Sequence, residues 1–406
     1  MRLWKKLGLL LLILLFLSQL PFAYRRYKIG KLHAAIQQLK SERLEKQSVD
    51  PFAEYTGVLH VHSFLGGHST GSFEEIIAAA KANQLNFVVM TEHPAQDFDT
   101  ADMTLQGWQA GVLFLNGNEV NNASGERLLV IPGSESSNRV SGLPTPNVLS
   151  GQKARGALSI VAYPQEFKSW DSAGYDGVEI YNVYTNAREI NPVVLFFDGL
   201  WCYRKYPDLL FATFYSRPAE NLRKWDDAIV NRKVKLVGVA GNDAHSNVGI
   251  ALVDSSGKTL LGLKLDPYER SFRLVRVHAL VPEGVPFDTA SLMAALAAGH
   301  CFIGFDLFAD STGFRFSGSN TRQTVLQGDT IETDGEVRLT VSTPIPTKIV
   351  LLKDGVNVKE ALGGRETVFT VTESGVYRVE AYLQQLPRPF NAQPWILSNP
   401  IYVTSQ

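Results

Sequence analysis

Apolar residues fill positions 7–23, interrupted only by Ser18, Gln19 and Pro21. As a helix this run rises about 25 Å, enough for the core of a bilayer. Arg2, Lys5 and Lys6 precede it, and Tyr24-Arg25-Arg26 follows. A cleaved signal segment competes with an uncleaved anchor. Pro21 stands where a small residue is preferred before a cut at Ala23, which favours the anchor. Arg25, Arg26, Lys28 and Lys31 balance the N-terminal charges, so charge does not fix orientation. The expected location is the bacterial inner membrane, with the body of the chain outside the cytoplasm. Within 27–48, Ile29, Leu32, Ile36 and Leu39 recur at helical spacing. That spacing predicts an amphipathic stalk with one face on the body of the protein. His33 lies on it and is read as solvated.

From 50 to about 304 the period switches back and forth. Period-two or short apolar runs predict strands over 55–61, 86–90, 112–119, 128–131, 158–163, 177–180, 234–240 and 275–280. Helical spacing appears at 72–83, 218–230 and 288–298. Such alternation predicts an α/β body, either a parallel barrel or a doubly wound sheet. After about Phe305 the runs shorten to 336–341, 348–352, 366–371 and 376–382. Asp334-Gly335, Asp354-Gly355, Gly363-Gly364 and Ser374-Gly375 supply turn signals between them. This texture predicts a small all-β sandwich, with Tyr377, Tyr382 and Trp395 in its core. The division is then 1–24 anchor or signal segment, 25–50 helical linker, 51–305 catalytic α/β domain and 306–406 β-domain.

Composition changes little of this. The 406 residues suit two domains, and 45% hydrophobic content supports a large core. A formal net charge of -1 offers no basic field for nucleic acid. Cys202 and Cys301 form no disulfide framework and read as buried thiols.

The histidines change more. Four of the eight lie between His60 and His93. His60 and His62 are two apart near a strand end, so strand alternation projects them to one face. His68 follows across Gly66-Gly67, which lets the chain double back. Gly66-Gly67 lacks the Lys and Ser/Thr of a phosphate loop. Ser72 and Glu75 form a capping box for the next helix, and the strand after it ends in Thr91-Glu92-His93. Histidines at the carboxyl ends of strands sit where barrel enzymes keep their chemistry. Asn116-Gly117-Asn118-Glu119 ends another apolar run with a carboxylate. Asp243 and His245 repeat the two-apart spacing after a further strand. Imidazole and carboxylate donors converging in this way suit zinc, manganese or iron.

The ordered set of His-x-His, a histidine six residues on, Thr-Glu-His, Gly-x-Glu and Asp-Ala-His resembles the PHP (polymerase and histidinol phosphatase) superfamily. The resemblance covers 51–305. It implies a distorted (β/α)7 barrel whose two- or three-metal site hydrolyses phosphate esters. Carried over residue by residue, His60, His62, Glu119 and Asp243 hold one metal, and His68, His93 and His245 another. That amounts to two divalent ions per chain. The sequence departs from the pattern at the third metal. Arg127 and Tyr163 occupy the places of two histidines, and Glu92 replaces the usual Asp beside His93. Arg127 is expected to supply fixed charge and paired donors for phosphate, with Tyr163 donating a further hydrogen bond. Glu179 resembles part of a recurring segment, and a purely structural role is equally open. His278 and His300 read as structural, and Ser63, Ser69 and Ser246 as loop hydrogen-bonders.

The function implied is metal-dependent hydrolysis of a phosphorylated substrate by a membrane-anchored protein. The competing readings are a metal-retaining sensor or binding protein, and a hydrolase of another bond such as an amide. Arg127 argues for an anionic substrate over a neutral amide.

Overall fold

The computed structural model describes residues 2–43, 51–188, 191–247, 249–253, 259–264, 266–333 and 335–405. The last residues of the expected stalk (44–48) and Asp334 of one expected turn lie outside them.

One continuous helix, Arg2–Glu42, joins the apolar run to the stalk. It is the one helix among the described residues long and apolar enough to cross a membrane, although a signal sequence has the same properties. Ile29, Leu32, Ile36 and Leu39 are all buried, so the stalk packs along its predicted stripe. His33 is exposed, with its ring near Tyr206.

The body is mixed α/β around a large sheet. Strand Phe52–Val61 lies between two parallel neighbours, Phe87–Met90 and Val237–Ala244. From Val237–Ala244 the pairing continues through Gly177–Asn182, Leu158–Ala162 and Arg127–Ile131 to Asn118–Asn121. A bridge between Asn118 and Glu92 then returns the ladder to the end of Phe87–Met90. The pairings therefore come back on themselves. Arg127–Ile131 runs antiparallel to both neighbours. Its first residue consequently lies on the same rim as the carboxyl ends of the parallel strands.

Two differences from the sequence pattern concern the rim. The apolar run expected as one strand over 112–119 is two, Val112–Leu115 and Asn118–Asn121. Gly117 separates them in tight quarters, since a Cβ there would meet the Met90 carbonyl oxygen at 2.6 Å. The break lets the second piece leave the Phe87–Met90 ladder and pair onward with Arg127–Ile131. The strand expected over 234–240 is shifted to Val237–Ala244 and so includes Asp243.

The C-terminal strands are longer than their alternation suggested. The runs at 336–341 and 348–352 belong to one strand, Val337–Lys353. Asp354 and Gly355, with φ of 51° and 81°, turn it tightly into Val356–Val371. Gly363-Gly364, expected as a turn, lies inside that second strand, where the register slips between Thr347 and Ile349. Glycine is tolerated there as part of an irregular ladder. Gly375–Tyr382 completes the central group. Tyr377 and Trp395 are buried as expected, and Tyr382 is half-buried. Hydrogen bonding also crosses 305: Phe302, Ile303 and Gly304 pair with Ser398, Leu397 and Ile396.

Candidate metal centre

His60 and His62 do reach one place, but by a route that plain alternation does not describe. The register of strand Phe52–Val61 shifts on both sides between 58 and 61. His60 sits in that irregularity with φ of 64°, in the left-handed region that disfavours a side chain. A bulge re-aims the side chain. Tyr163, Asp243 and Ser246 also have positive φ, at 51°, 46° and 52°. Each such residue costs on the order of 1–3 kcal/mol and persists only where its surroundings enforce it. Four of them on one rim mark a shaped site.

The rim brings together all nine residues singled out from the sequence. His60 Nε2 lies 3.2 Å from Glu119 Oε2 and 3.4 Å from Asp243 Oδ1. His62 Nε2 lies 3.4 Å from each of the same two oxygens. His93 Nε2 is 3.5 Å from Glu119 Oε2. Donor atoms of His60, His62, Glu119 and Asp243 all lie within 4.8 Å of one another, as do those of His62, His93 and His245. His68 stands at the exposed edge, its Nε2 3.0 Å from that of His245. The second cluster thus includes His62 alongside His93 and His245, with His68 against it.

The donor set fits cations. His62 Nδ1 and Nε2, His93 Nε2, Glu119 Oε1 and Asp243 Oδ1 are buried with no hydrogen-bond partner. Such burial is costly unless something answers it. Burial pushes the pKa of His62 down to about 3 and that of His93 to about 4. Both imidazoles are therefore neutral near pH 7 and keep a lone pair for a metal. Burial alone would raise Glu119, but the charge and hydrogen bond of His60 outweigh it and set its pKa at about 2. Asp243 is likewise held well below the usual carboxylate range, burial being outweighed by His60 and His62.

Around the donors stand groups that aim them. Glu179 is fully buried and meets His60 Nδ1 at 2.6 Å, leaving Nε2 for the cluster. It reaches there because residue 241 is glycine: a Cβ would lie 1.7 Å from Glu179 Oε1. Asn182 donates to Glu179 Oε2 at 3.0 Å and to Asp243 Oδ2 at 3.2 Å. Tyr163 donates to Asp243 Oδ2 at 2.5 Å. Burial and the adjacent carboxylates push the phenol's pKa up, so it stays protonated as a donor. Arg127 lies over the Tyr163 ring at 4.5 Å, with Nη1 3.6 Å from Glu119 Oε1. Glu92 accepts from the Ser63 backbone N–H and the Thr104 hydroxyl, so it braces the loop and does not enter the cluster. Ser63 caps a short turn, and Ser69 donates to the His245 carbonyl at 2.6 Å.

A cavity of about 350 Å³ opens over the cluster. Its walls are His68, His93, Glu119, Asn121, Arg127, Tyr163, Tyr184, Asp243, His245 and Asn247. Asn121, Asn182, Tyr184 and Asn247 were not singled out from the sequence. Asn121 could have been, as the residue that pairs with Arg127 across the ladder. Asn182 ends the strand Gly177–Asn182, Tyr184 lies on the short helix Val183–Arg188 and Asn247 in a loop, and none carries a spacing signal. His278 and His300 lie elsewhere: His278 bonds Glu54 and Asp306, and His300 bonds Asp329. Both cysteines are buried and free.

No family model matches the chain, and no curated relative matches it in sequence. Among solved structures, it is similar to a two-domain protein from Bacteroides vulgatus containing a predicted PHP-like metal-dependent phosphoesterase. The identity is 12%, the match covers 88% of this chain and 98% of that one, and the TM-score is 0.40. It is also similar to PsfC from Pseudomonas syringae, at 10% identity over 62% of this chain and 91% of that one, with a TM-score of 0.37. The first description names the same class of protein that the histidine motifs resemble. Likeness at these scores carries no argument by itself. The side chains themselves define a buried site fit to hold divalent metal.

Proposed function

We propose that this chain is a membrane-anchored, metal-dependent phosphoesterase of the PHP kind. In this reading 51–305 is a distorted (β/α)7 barrel and 306–406 a β-sandwich. The observation that carries the proposal is the buried set of unpartnered imidazole and carboxylate atoms converging from separate strand ends. Packing gives no reason for such a set. His60, His62, Glu119 and Asp243 would hold one divalent ion, and His93 and His245 a second, with His68 at its edge. Zinc, manganese and iron all suit these donors. Bound there, such ions supply an acidic water and neutralise phosphoryl charge.

The chain's own groups divide the remaining work. Glu179 and Asn182 orient His60 and Asp243. Arg127 reaches the cavity with its guanidinium over Tyr163 and offers paired donors to a phosphate. Tyr163 donates its hydroxyl hydrogen bond to Asp243, so its first task is to fix that carboxylate. Anchoring through an uncleaved helix is supported by contacts that cleavage at Ala23 would remove. Phe22 stacks on Phe197 at 4.6 Å, and Gln19 accepts from Trp201 at 3.1 Å. The location proposed is the bacterial inner membrane with the barrel outside the cytoplasm.

The test is hydrolysis of p-nitrophenyl phosphate and its bis ester by the full chain in detergent, with manganese or zinc. We expect turnover of at least one ester, lost on chelation and restored by metal. Stoichiometric metal without turnover of either ester would contradict the proposal and favour a binding protein.

A further inference from the structure

Among the described residues, helix Pro192–Cys202 leaves an apolar face exposed. Val193, Phe196 and Leu200 are 58%, 57% and 69% exposed. They are spaced three and four apart, so they share one side of the helix. The adjoining side is fully engaged with the N-terminal helix. Phe197 stacks on Phe22, and Trp201 donates to Gln19. Asp198, buried, takes a two-pronged ion pair from Arg25 at 2.5 and 2.8 Å. Arg26 donates to the Trp201 carbonyl.

These contacts fix the level of the helix. Residues 19–26 are the last part of the apolar run and the basic turn after it. At 1.5 Å per residue they lie about 18–28 Å beyond Leu7, at the far boundary of a bilayer core. Tyr24 and Tyr27 stand there with Lys28 and Lys31 over their rings, an aromatic and basic girdle suited to head groups. The exposed face thus belongs to a helix packed against this end of the N-terminal apolar run.

The chain before this helix reaches the metal site. Helix Val183–Arg188, which precedes it in the sequence, carries the cavity residue Tyr184. Fewer than ten residues separate Tyr184 from Val193, at most about 30 Å of chain. Another cavity residue, Asn247, precedes the hairpin Gly249–Val253 and Thr259–Lys264 in the sequence. The carbonyl of Lys264 accepts from the hydroxyl of Tyr203, the residue after the helix.

We infer that helix Pro192–Cys202 lies in the head-group layer of the bilayer, as a second membrane contact beside the N-terminal helix. The cavity then opens near the membrane surface, and its substrate is a phosphate ester carried on a lipid. The second clause rests on the phosphoesterase reading; the first does not.

Two measurements on the full chain in phosphatidylcholine vesicles keep the clauses apart. A fluorophore on Leu200→Cys is compared with one on Glu135→Cys, an exposed position on the short helix Glu135–Asn138, and the unsubstituted chain reports labelling of the two buried cysteines. We expect the label at 200 to be quenched severalfold more by nitroxide lipids than by aqueous iodide, and the label at 135 to show the reverse. Equal iodide quenching at both positions would overturn the membrane contact.

The second measurement follows hydrolysis of phosphatidic acid in the vesicles and of p-nitrophenyl phosphate in solution. The pair Phe196→Glu and Leu200→Glu should lower kcat/KM about tenfold for the lipid and leave the soluble ester unchanged. Turnover of the soluble ester but not the lipid, or equal loss on both, overturns the lipid substrate. Turnover of neither ends the phosphoesterase reading and this clause with it, while the quenching result still decides the contact.

Discussion

Arg378 and Asp243 are both buried charged residues, and their surroundings are opposites. Arg378 pairs with Asp226 at 2.7 and 2.8 Å and with Glu380 at 2.8 Å. Glu380 in turn takes Arg217 at 2.5 and 2.8 Å and the Tyr382 hydroxyl at 2.5 Å. Two guanidiniums face two carboxylates, and each has its hydrogen bonds. This cluster ties helix Ala219–Arg232 to strand Gly375–Tyr382 and is complete as it stands. At the rim, by contrast, Glu119, Asp243 and Glu179 gather around His60, whose charge they favour, while the neighbouring His62 and His93 are held neutral and several donor atoms have no hydrogen-bond partner. One buried polar cluster is a joint; the other has donors left over that could hold cations. The criterion that separates them is whether the protein itself satisfies each buried charge.

The contrast can be broken by mutation. Asp243→Asn and Glu119→Gln should lower kcat on a phosphate ester by about 10³-fold or more and reduce metal content. Melting of the metal-free protein should fall only modestly, because His60, Tyr163 and Asn182 favour the ionised carboxylates while Glu119 Oε1 and Asp243 Oδ1 have no hydrogen-bond partner to lose. A large loss of stability with metal content intact would place Asp243 among structural charges. Arg378→Met should do the reverse. It strands Asp226 and removes one of Glu380's partners, costs about 3–5 kcal/mol in denaturant unfolding, and leaves metal content unchanged.

A subtler change addresses the missing third ion. Arg127 and Tyr163 stack together at the cavity wall beside Glu119. Changing both to histidine should raise metal content by about one ion per chain in elemental analysis. No rise would show that Arg127 does not stand in a metal's place.

The smallest effect concerns a third buried cluster. His278 lies between Glu54 and Asp306, with Ser311 at 3.0 Å. Burial opposes its charge, but Asp306 and Glu54 outweigh burial and raise its pKa to about 9. A raised pKa means the charged form stabilises the fold. That stability is fully present below about pH 6.5 and is lost as pH rises toward 9, on the order of 3 kcal/mol at most. The melting temperature should decline across this window, and His278→Gln should flatten the decline. An unchanged slope in the variant would assign the effect to other groups.

Much of the site could be read from the sequence because metal ligands are local in pattern. His60 and His62, Thr91-Glu92-His93, and Asp243 with His245 each sit where an apolar run stops. A strand end is a place that hydrophobic pattern does locate. The stalk's buried stripe followed from the same kind of periodicity. What stayed hidden depends on contacts between distant segments. Tyr163 was read as a donor to substrate, yet its hydroxyl meets Asp243, eighty residues away. Glu179 could not be assigned without seeing His60 beside it. Gly363-Gly364 looked like a turn because glycine pairs usually are, and an irregular ladder accommodated them instead. The bulge that aims His60 has no sequence signature at all.

The central claim is that the rim cluster binds cations. The most direct measurement is anomalous scattering from crystals of the full chain soaked in zinc or manganese. The account predicts two strong peaks, one among His60, His62, Glu119 and Asp243, the other beside His93 and His245. Peaks elsewhere with none at the rim, in protein that hydrolyses phosphate esters, would contradict it.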